Sequence, residues 1–503
     1  MTARTLRPPG GVVATPHPVG DLLNLQAARD PDAPALTCEG VTLSRLELAM
    51  RVNRRARVLS ALGVGQGDFV AIVLPNGAAF LEIAYAVWAV GAVPAPLSHR
   101  LADGELAAIL DLLDPRLVVI EEAGRAAGRP AVPAEDTYDP AIDASPLPAV
   151  ASPCLKAIAS GGSTGRPKVI VDSAPALNDP DMPVLAMRPG DVVLNPGPLY
   201  HSAPFGVNVM ALGWGLHVVI MPRFDALETL RLIERHRVSW LFQVPTMMHR
   251  IWTAPGRERF DVSSLQAVLH IAAPCPVWLK RAWIDWVGAG AIWEIYTGTE
   301  LMGGTAINGV DWLERPGSVG RVLPGYRMRV LDGEGRDCPP GEIGEVYFLP
   351  DRGQGATYRY IGAEARSSGD WETFGDMGHV DADGFLFLAD RRVDLIVSGG
   401  ANIYPAEVEA AIDAFPGVLC SVVIGLPDAD LGQRAHAIVE TEGVLDEDAL
   451  AAFLTARLAP YKRPRSFEGT RETLRDDAGK VRRQALREAR LNRANGPHAQ
   501  KLA

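Results

Sequence analysis

The sequence predicts an α/β fold: a large N-terminal domain of packed α/β sheets, a β-rich subdomain following it, and a small α+β unit at the C-terminus. Three observations predict it. Helical and strand patterns alternate through the first 150 residues, and the theme returns between Asp191 and Gln243. Beyond Gly317, short alternating runs rich in Gly and Pro take over, as in antiparallel strands and hairpins. The last hundred residues then carry two helical and two strand patterns of their own.

Each element has a local reason. The stretch 19–29 reads as a helix, and 35–37 with 41–43 as a hairpin about the turn dipeptide Glu39-Gly40. From 44 to 62, Leu46, Leu48, Ala49, Val52, Ala56 and Leu59 recur at helical spacing. The run 69–74 is apolar throughout, as in a buried parallel strand, and a helix follows from Ala78. The most apolar window, 80–97, contains Glu82 and is broken by Gly91, Pro94 and Pro96. It predicts a buried helix and strand, not a membrane span. Strands are expected at 192–194, 217–221 and 240–244, with an amphipathic helix at 226–237. Antiparallel strands are expected at 327–331 and 345–349. Pro405 opens a helix whose first turn holds Glu407 and Glu409, where the dipole favours them. Val408, Ala411, Ile412 and Phe415 share its face, and Gly417 stops it. Strands at 418–424 and 435–440 and a helix at 446–458 complete the unit, and the polar tail from Arg487 is expected to fray.

Composition bounds the function. At roughly 100–200 residues per domain, 503 residues make two to four domains. Lys plus Arg number 49 and Asp plus Glu 60, a net charge of −11. That balance argues against sequence-independent nucleic-acid binding, which needs clustered positive charge. A site for an anion must be built locally from backbone N–H groups and a few cations. The cysteines (Cys38, Cys154, Cys275, Cys338, Cys420) are odd in number and contain no C-x-x-C pair. They suggest neither a zinc framework nor a disulfide scaffold, but a reducing, cytoplasmic setting. Residues 1–19 lack the apolar stretch of an export signal.

The most informative segment is Ile158-Ala159-Ser160-Gly161-Gly162-Ser163-Thr164-Gly165-Arg166-Pro167-Lys168. Glycines let backbone N–H groups come close to a phosphate. Ser163 and Thr164 add hydroxyl donors, and Lys168 adds a point charge. It is not a Walker A loop, because Arg166-Pro167 separates Gly165 from Lys168 and Val169 follows.

This loop resembles the phosphate loop of the adenylate-forming superfamily: acyl-CoA synthetases, peptide adenylation domains, luciferases and amide bond synthetases. Further segments resemble that family in the same order. They are Tyr296-Thr297-Gly298-Thr299-Glu300, Gly375-Asp376, Asp390-Arg391, the stretch Ser398 to Glu409, and Gly479-Lys480-Val481. The resemblance implies a large adenylation domain, 1–392, and a mobile C-terminal domain, 393–503, carrying the lysine. It implies ATP and Mg²⁺, and activation of a carboxylic acid with release of pyrophosphate. Ser160, Gly161, Gly162, Ser163, Thr164, Gly165 and Lys168 would hold the phosphates, with Thr299 on the α-phosphate and Glu300 as the Mg²⁺ carboxylate. Tyr296 would stack on adenine, and Ala272-Ala273-Pro274 would lie against it. Asp376 would accept the ribose hydroxyls, and Arg391 would hold ribose or phosphate. His201 would stand beside the acyl group, and Lys480 would meet the α-phosphate of the transition state. Two departures stand out: Val393 at the hinge, and Leu474-Arg475-Asp476-Asp477-Ala478 where the family carries Pro and Thr before Gly-Lys.

The second substrate is CoA in most stand-alone members, with Arg463 and Arg465 as candidates for its phosphates. A free amine attacking the same adenylate is the alternative, and a non-catalytic nucleotide-binding protein a remote one. Trp214, Phe205, Phe242 and Met247 lie in segments that line the acyl pocket of relatives, which implies an apolar acid, aryl or alicyclic.

Overall fold

The apolar run after residue 68 folds as the strand Phe69–Val73, buried along most of its length. It runs parallel to Val93–Pro96 on one side and Leu117–Ile120 on the other. The computed structural model describes residues 15–161, 167–391, 394–398, 401–428, 430–455, 457–476 and 480–494. The helix after this strand, Ala78–Ala89, is buried almost all round. Its one charge, Glu82, is fully buried and is held by two guanidiniums of the neighbouring helix Arg45–Ala61. Arg51 Nε lies 2.6 Å from Oε1 and Arg55 Nε 2.7 Å from Oε2. An apolar window therefore carries a carboxylate because two cations meet it inside. The neighbouring helix begins where Ser44 caps it: its hydroxyl accepts from Glu47 N–H, and Glu47 returns the bond to Ser44 N–H.

A second, larger sheet has 15 strands among the described residues. Its first half is parallel, through Pro34–Cys38, His217–Ile220, Val192–Asn195, Trp240–Gln243, Ala267–His270 and Ile292–Thr297. From Gly304–Asn308 onward its neighbours pair antiparallel. This is the change of character expected after residue 317, and it starts slightly earlier. The hairpin about Glu39-Gly40 forms as expected, with both turn residues at positive φ. A third, three-stranded sheet joins Ala157–Gly161, Pro167–Asp172 and Tyr358–Ile361.

The C-terminal residues build their own five-stranded sheet. Val418–Asp428, at the sheet's edge, and Gly432–Thr441 beside it form its long hairpin, each strand longer than the sequence pattern suggests. One face packs Val423, Ala437 and Val439 against Val408, Ile412, Leu450 and Leu454 of the helices Pro405–Ile412 and Glu447–Thr455. The other packs Val422, Ile424 and Ile438 against Leu474, Val481 and Leu486. Two expectations are corrected here. The helix opened by Pro405 ends at Ile412, before Phe415, and Asp413 beyond it turns to the Ser421 hydroxyl at 2.6 Å. The tail from Arg487 is helical as far as it is described: the helix Arg483–Ala494 runs through its first residues, and 495–503 lie outside the described residues. Its polar side chains are its anchors, since Arg487 donates to the Gly425 carbonyl at 2.8 Å and Arg490 pairs with Glu468 at 2.8 Å. Among the described residues no helix is long and apolar enough to cross a membrane.

Candidate active site

Ligands of open α/β sheets sit beyond the carboxyl ends of the parallel strands. Several predicted residues follow such ends here. His201 lies after Val192–Asn195, Ala272-Ala273-Pro274 after Ala267–His270, and Thr299 and Glu300 after Ile292–Thr297. These three strands belong to one parallel array, so their loops open on the same edge. Ala272 adopts a φ of +82°, a left-handed conformation that a non-glycine residue holds only under constraint.

The phosphate-loop segment reaches this edge as a hairpin. Ser160 pairs with Lys168, and Gly161 with Pro167. Gly162, Ser163, Thr164 and Gly165 lie outside the described residues. Lys168 Nζ stands 3.3 Å from Glu300 Oε1 and 3.9 Å from the ring centre of Tyr360. The Tyr360 hydroxyl donates to the same Glu300 oxygen at 2.6 Å. Glu300 is buried, and Gly298 leaves it room: a Cβ there would fall 2.8 Å from Glu300 Oε2 and 2.3 Å from Phe374. The hairpin and the acidic turn therefore share one cleft. Thr299 is half-buried beside them.

Tyr296 and Asp376 also meet, although 80 residues separate them in sequence: the phenol donates to Asp376 Oδ2 at 2.5 Å. The Tyr296 ring lies 6.1 Å from that of Phe348 and 6.0 Å from that of Phe374. Asp376 pairs with Arg391 across the strands Asp376–Val380 and Leu386–Arg391, so the two backbones are adjacent.

His201 precedes the helix Ser202–Gly213, and its carbonyl accepts from Phe205 N–H at 3.0 Å. Its ring lies 4.6 Å from that of Tyr200. Burial pushes its pKa down to about 3, and the positive charge of Lys480 adds to the effect. The imidazole is neutral at physiological pH, and the exposed Lys480 comes near it from the C-terminal residues. Burial likewise lowers His217, to about 4. The unfolded chain takes up these protons near pH 6.5, but the folded chain does not until much lower pH. Stability is therefore present above about pH 6.5 and is lost as pH falls from there toward 4. Calorimetry should show the thermal midpoint dropping across that window, and His201→Asn should flatten the drop.

Other expectations are sorted by the packing. Phe205, Phe242, Met247 and Trp214 are all buried in one core cluster, with Phe205 one turn after His201. Arg463 is committed to carbonyls at the end of a helix, donating to Leu458 at 2.9 Å and Thr455 at 3.0 Å, whereas Arg465 is exposed. Sequence reasoning missed Tyr360, which lies in no motif; only its strand's pairing with Pro167–Asp172 brings it to Lys168. It also missed a buried group: Lys280 ion-pairs with Glu294, and His270 Nδ1 lies 3.9 Å from the same carboxylate. The helical spacing of Lys280 gave no sign of burial.

Comparison with known proteins decides the family. The AMP-binding enzyme family matches residues 23–360, and the AMP-binding enzyme C-terminal domain matches residues 407–480. The chain belongs to the AMP-binding enzymes. Feruloyl-CoA synthase of Amycolatopsis sp is 36% identical over 478 residues, covering 91% of this chain and 96% of that relative. Among solved structures, o-succinylbenzoate coenzyme A synthetase (MenE) of Bacillus subtilis, in complex with ATP and magnesium ion, superposes with a TM-score of 0.80. It is 25% identical and covers 94% of this chain and 100% of that one. Amide bond synthetase McbA of Marinactinospora thermotolerans shares the fold at a TM-score of 0.77 and 24% identity, covering 94% of this chain and 99% of that one. The motif resemblance and the α/β architecture thus agree with the family and fold of this AMP-binding enzyme.

Proposed function

We propose that this AMP-binding enzyme activates a carboxylic acid with ATP and passes the acyl group to the thiol of CoA. In the first half-reaction a carboxylate oxygen attacks the α-phosphorus of ATP; the O–P bond forms, the bond to the β-phosphate bridge breaks, and pyrophosphate leaves. In the second, the CoA sulfur attacks the acyl carbon, AMP leaves, and the thiol proton passes to solvent. The observation that carries the reading is the Lys168–Glu300 pair, set at the sheet edge on which the loops of His201 and Ala272 also open. Two anions must meet there, so catalysis is mainly charge neutralisation and positioning.

The residues suit these tasks. Lys168 supplies a point charge where the triphosphate would lie. Asp376, already held by Tyr296, accepts ribose hydroxyls when that phenol gives way, and Arg391 follows on the paired strand. Tyr296 and the Ala272-Ala273-Pro274 backbone flank the adenine. Glu300 is a hard oxygen ligand with space kept beside it by Gly298, which fits Mg²⁺. When bound, that ion offsets charge on the phosphates. Neutral His201 can orient the acid without adding charge. The buried aromatic and thioether side chains about Phe205 favour an apolar acid, aryl or alicyclic. The separate C-terminal core supports the division into domains 1–392 and 393–503, and free cysteines suit the cytoplasm.

The test is to incubate the enzyme with ATP, Mg²⁺ and a panel of acids, adding CoA or an amine separately, and to identify products by mass. The proposal expects a CoA thioester and pyrophosphate from an apolar acid. Amide formed without CoA would transfer the assignment to amide synthesis, and no pyrophosphate with any acid would end it.

A further inference from the structure

Just before Lys480 the chain carries Leu474-Arg475-Asp476-Asp477-Ala478 where the resemblance leads one to expect Pro and Thr, and the structure describes the first three of these. Asp476 and Lys480 are doubly bonded: Asp476 N–H donates to the Lys480 carbonyl at 2.9 Å, and Lys480 N–H donates to Asp476 Oδ1 at 2.8 Å. Outside this pair, Arg475 and Val481 form an antiparallel bridge. Residues 477–479 lie outside the described residues. Each flank of the bridge is tied to the C-terminal sheet. Val481 packs with Val422, Ile424 and Ile438. Arg475 Nε donates to Cys420 Sγ at 3.1 Å; burial opposes its charge, and Cys420, Glu409 and Asp413 together outweigh that. Burial pushes Asp413 up to about 7, although the Ser421 hydroxyl and Arg475 both oppose the rise. A pocket holding that carboxyl, Glu409 and a thiol is one that a cation relieves. Two positions after Val481, Arg483 binds both oxygens of Glu409, at 2.6 and 2.7 Å, and Asp394 at 3.2 Å.

We infer that Arg475 and Asp476 are positioning residues for Lys480: Arg475 pins its flank to the half-buried Cys420–Asp413–Glu409 group, and Asp476 holds the Lys480 backbone with its carboxylate, in place of the usual Pro and Thr. The inference rests on the proposed adenylation role of Lys480. It assigns the aim of the ammonium to these backbone and side-chain ties to the C-terminal sheet. Misplacing a reacting group by about 1 Å can cost ~10²-fold in rate.

The experiment measures the two half-reactions separately, with acid and ATP for pyrophosphate release and with supplied acyl-adenylate plus CoA for thioester. Arg475→Ala should lower kcat for pyrophosphate release about 10²-fold with KM for ATP unchanged, and leave thioester formation within about twofold. Asp476 is exposed, so Asp476→Ala tests the turn without threatening the fold; it should lose about tenfold in the first half-reaction. Asp476→Asn, which keeps the Oδ1 acceptor, should restore most of that. In a Lys480→Ala background, Arg475→Ala should add nothing. The inference is overturned if Asp476→Ala and Arg475→Ala keep wild-type pyrophosphate release, if both half-reactions fall equally, or if Asp476→Asn is no better than Asp476→Ala. A wild-type enzyme that releases no pyrophosphate would instead overturn the proposed function.

Discussion

Lys480→Ala is expected to reduce pyrophosphate release by about 10²–10³-fold, the loss typical of removing one preorganised group aimed at developing transition-state charge. As the acid's oxygen closes on the α-phosphorus, negative charge gathers on the phosphorus oxygens. An ammonium offsets it without having to reorganise at that moment. Lys480 is exposed, so its removal leaves no cavity. On the proposed reading it meets the α-phosphate where the acid attacks, whereas Lys168 is tied to Glu300. The loss should therefore fall on kcat, with KM for ATP changed little. Lys480→Arg should recover only part of the rate, because a broad guanidinium does not replace a compact ammonium. Thioester formation from supplied acyl-adenylate should survive. If Lys480→Ala releases pyrophosphate at the wild-type rate, the ammonium has no part in adenylation.

How much of this was legible in the sequence depended on whether the signal was local. The hairpin about Glu39-Gly40 and the helix capped by Ser44 and Glu47 carry their instructions within a few residues, and both form where expected. The motif segments were visible because a phosphate loop or an acidic turn is continuous in sequence, and of their residues Lys168 and Glu300 come together. What the sequence hid is what tertiary pairing creates. Glu82 looks like an error in an apolar helix until Arg51 and Arg55 arrive from another helix. Tyr360 has no motif and reaches Glu300 only through the register of its strand with Val169 and Ile170. The helix Arg483–Ala494 was obscured by its arginines, whose spacing looks solvated until Gly425 and Glu468 are seen to receive them. The same holds for Arg475, whose partners lie 55 or more residues back in sequence. Charged side chains were thus the least legible class, because charge pattern alone does not say which face a neighbour will cover.

Glu300→Gln should likewise cost the enzyme roughly 10²-fold in pyrophosphate release at limiting Mg²⁺, since a metal's charge stabilisation is on the order of several kcal/mol and each 1.36 kcal/mol is tenfold. The substitution is chosen to separate two roles. As a structural group, Glu300 serves Lys168 and Tyr360 through Oε1. A glutamine oxygen still accepts from Tyr360 and retains part of the Lys168 contact, so a purely structural role predicts a small stability loss and an unchanged Mg²⁺ requirement. As a cation ligand, Glu300 matters for its negative charge, which glutamine lacks. The half-saturating Mg²⁺ concentration should then rise, and the thermal stabilisation given by Mg²⁺ with ATP should shrink, because ligand stabilisation follows affinity. Tyr360→Phe provides the counterpart. It removes the hydroxyl that fixes Glu300 Oε1 but leaves the carboxylate charge, so it should shift the Mg²⁺ requirement in the same direction by less. Wild-type Mg²⁺ dependence in Glu300→Gln, together with a lowered thermal midpoint, would leave Glu300 as no more than the partner of Lys168.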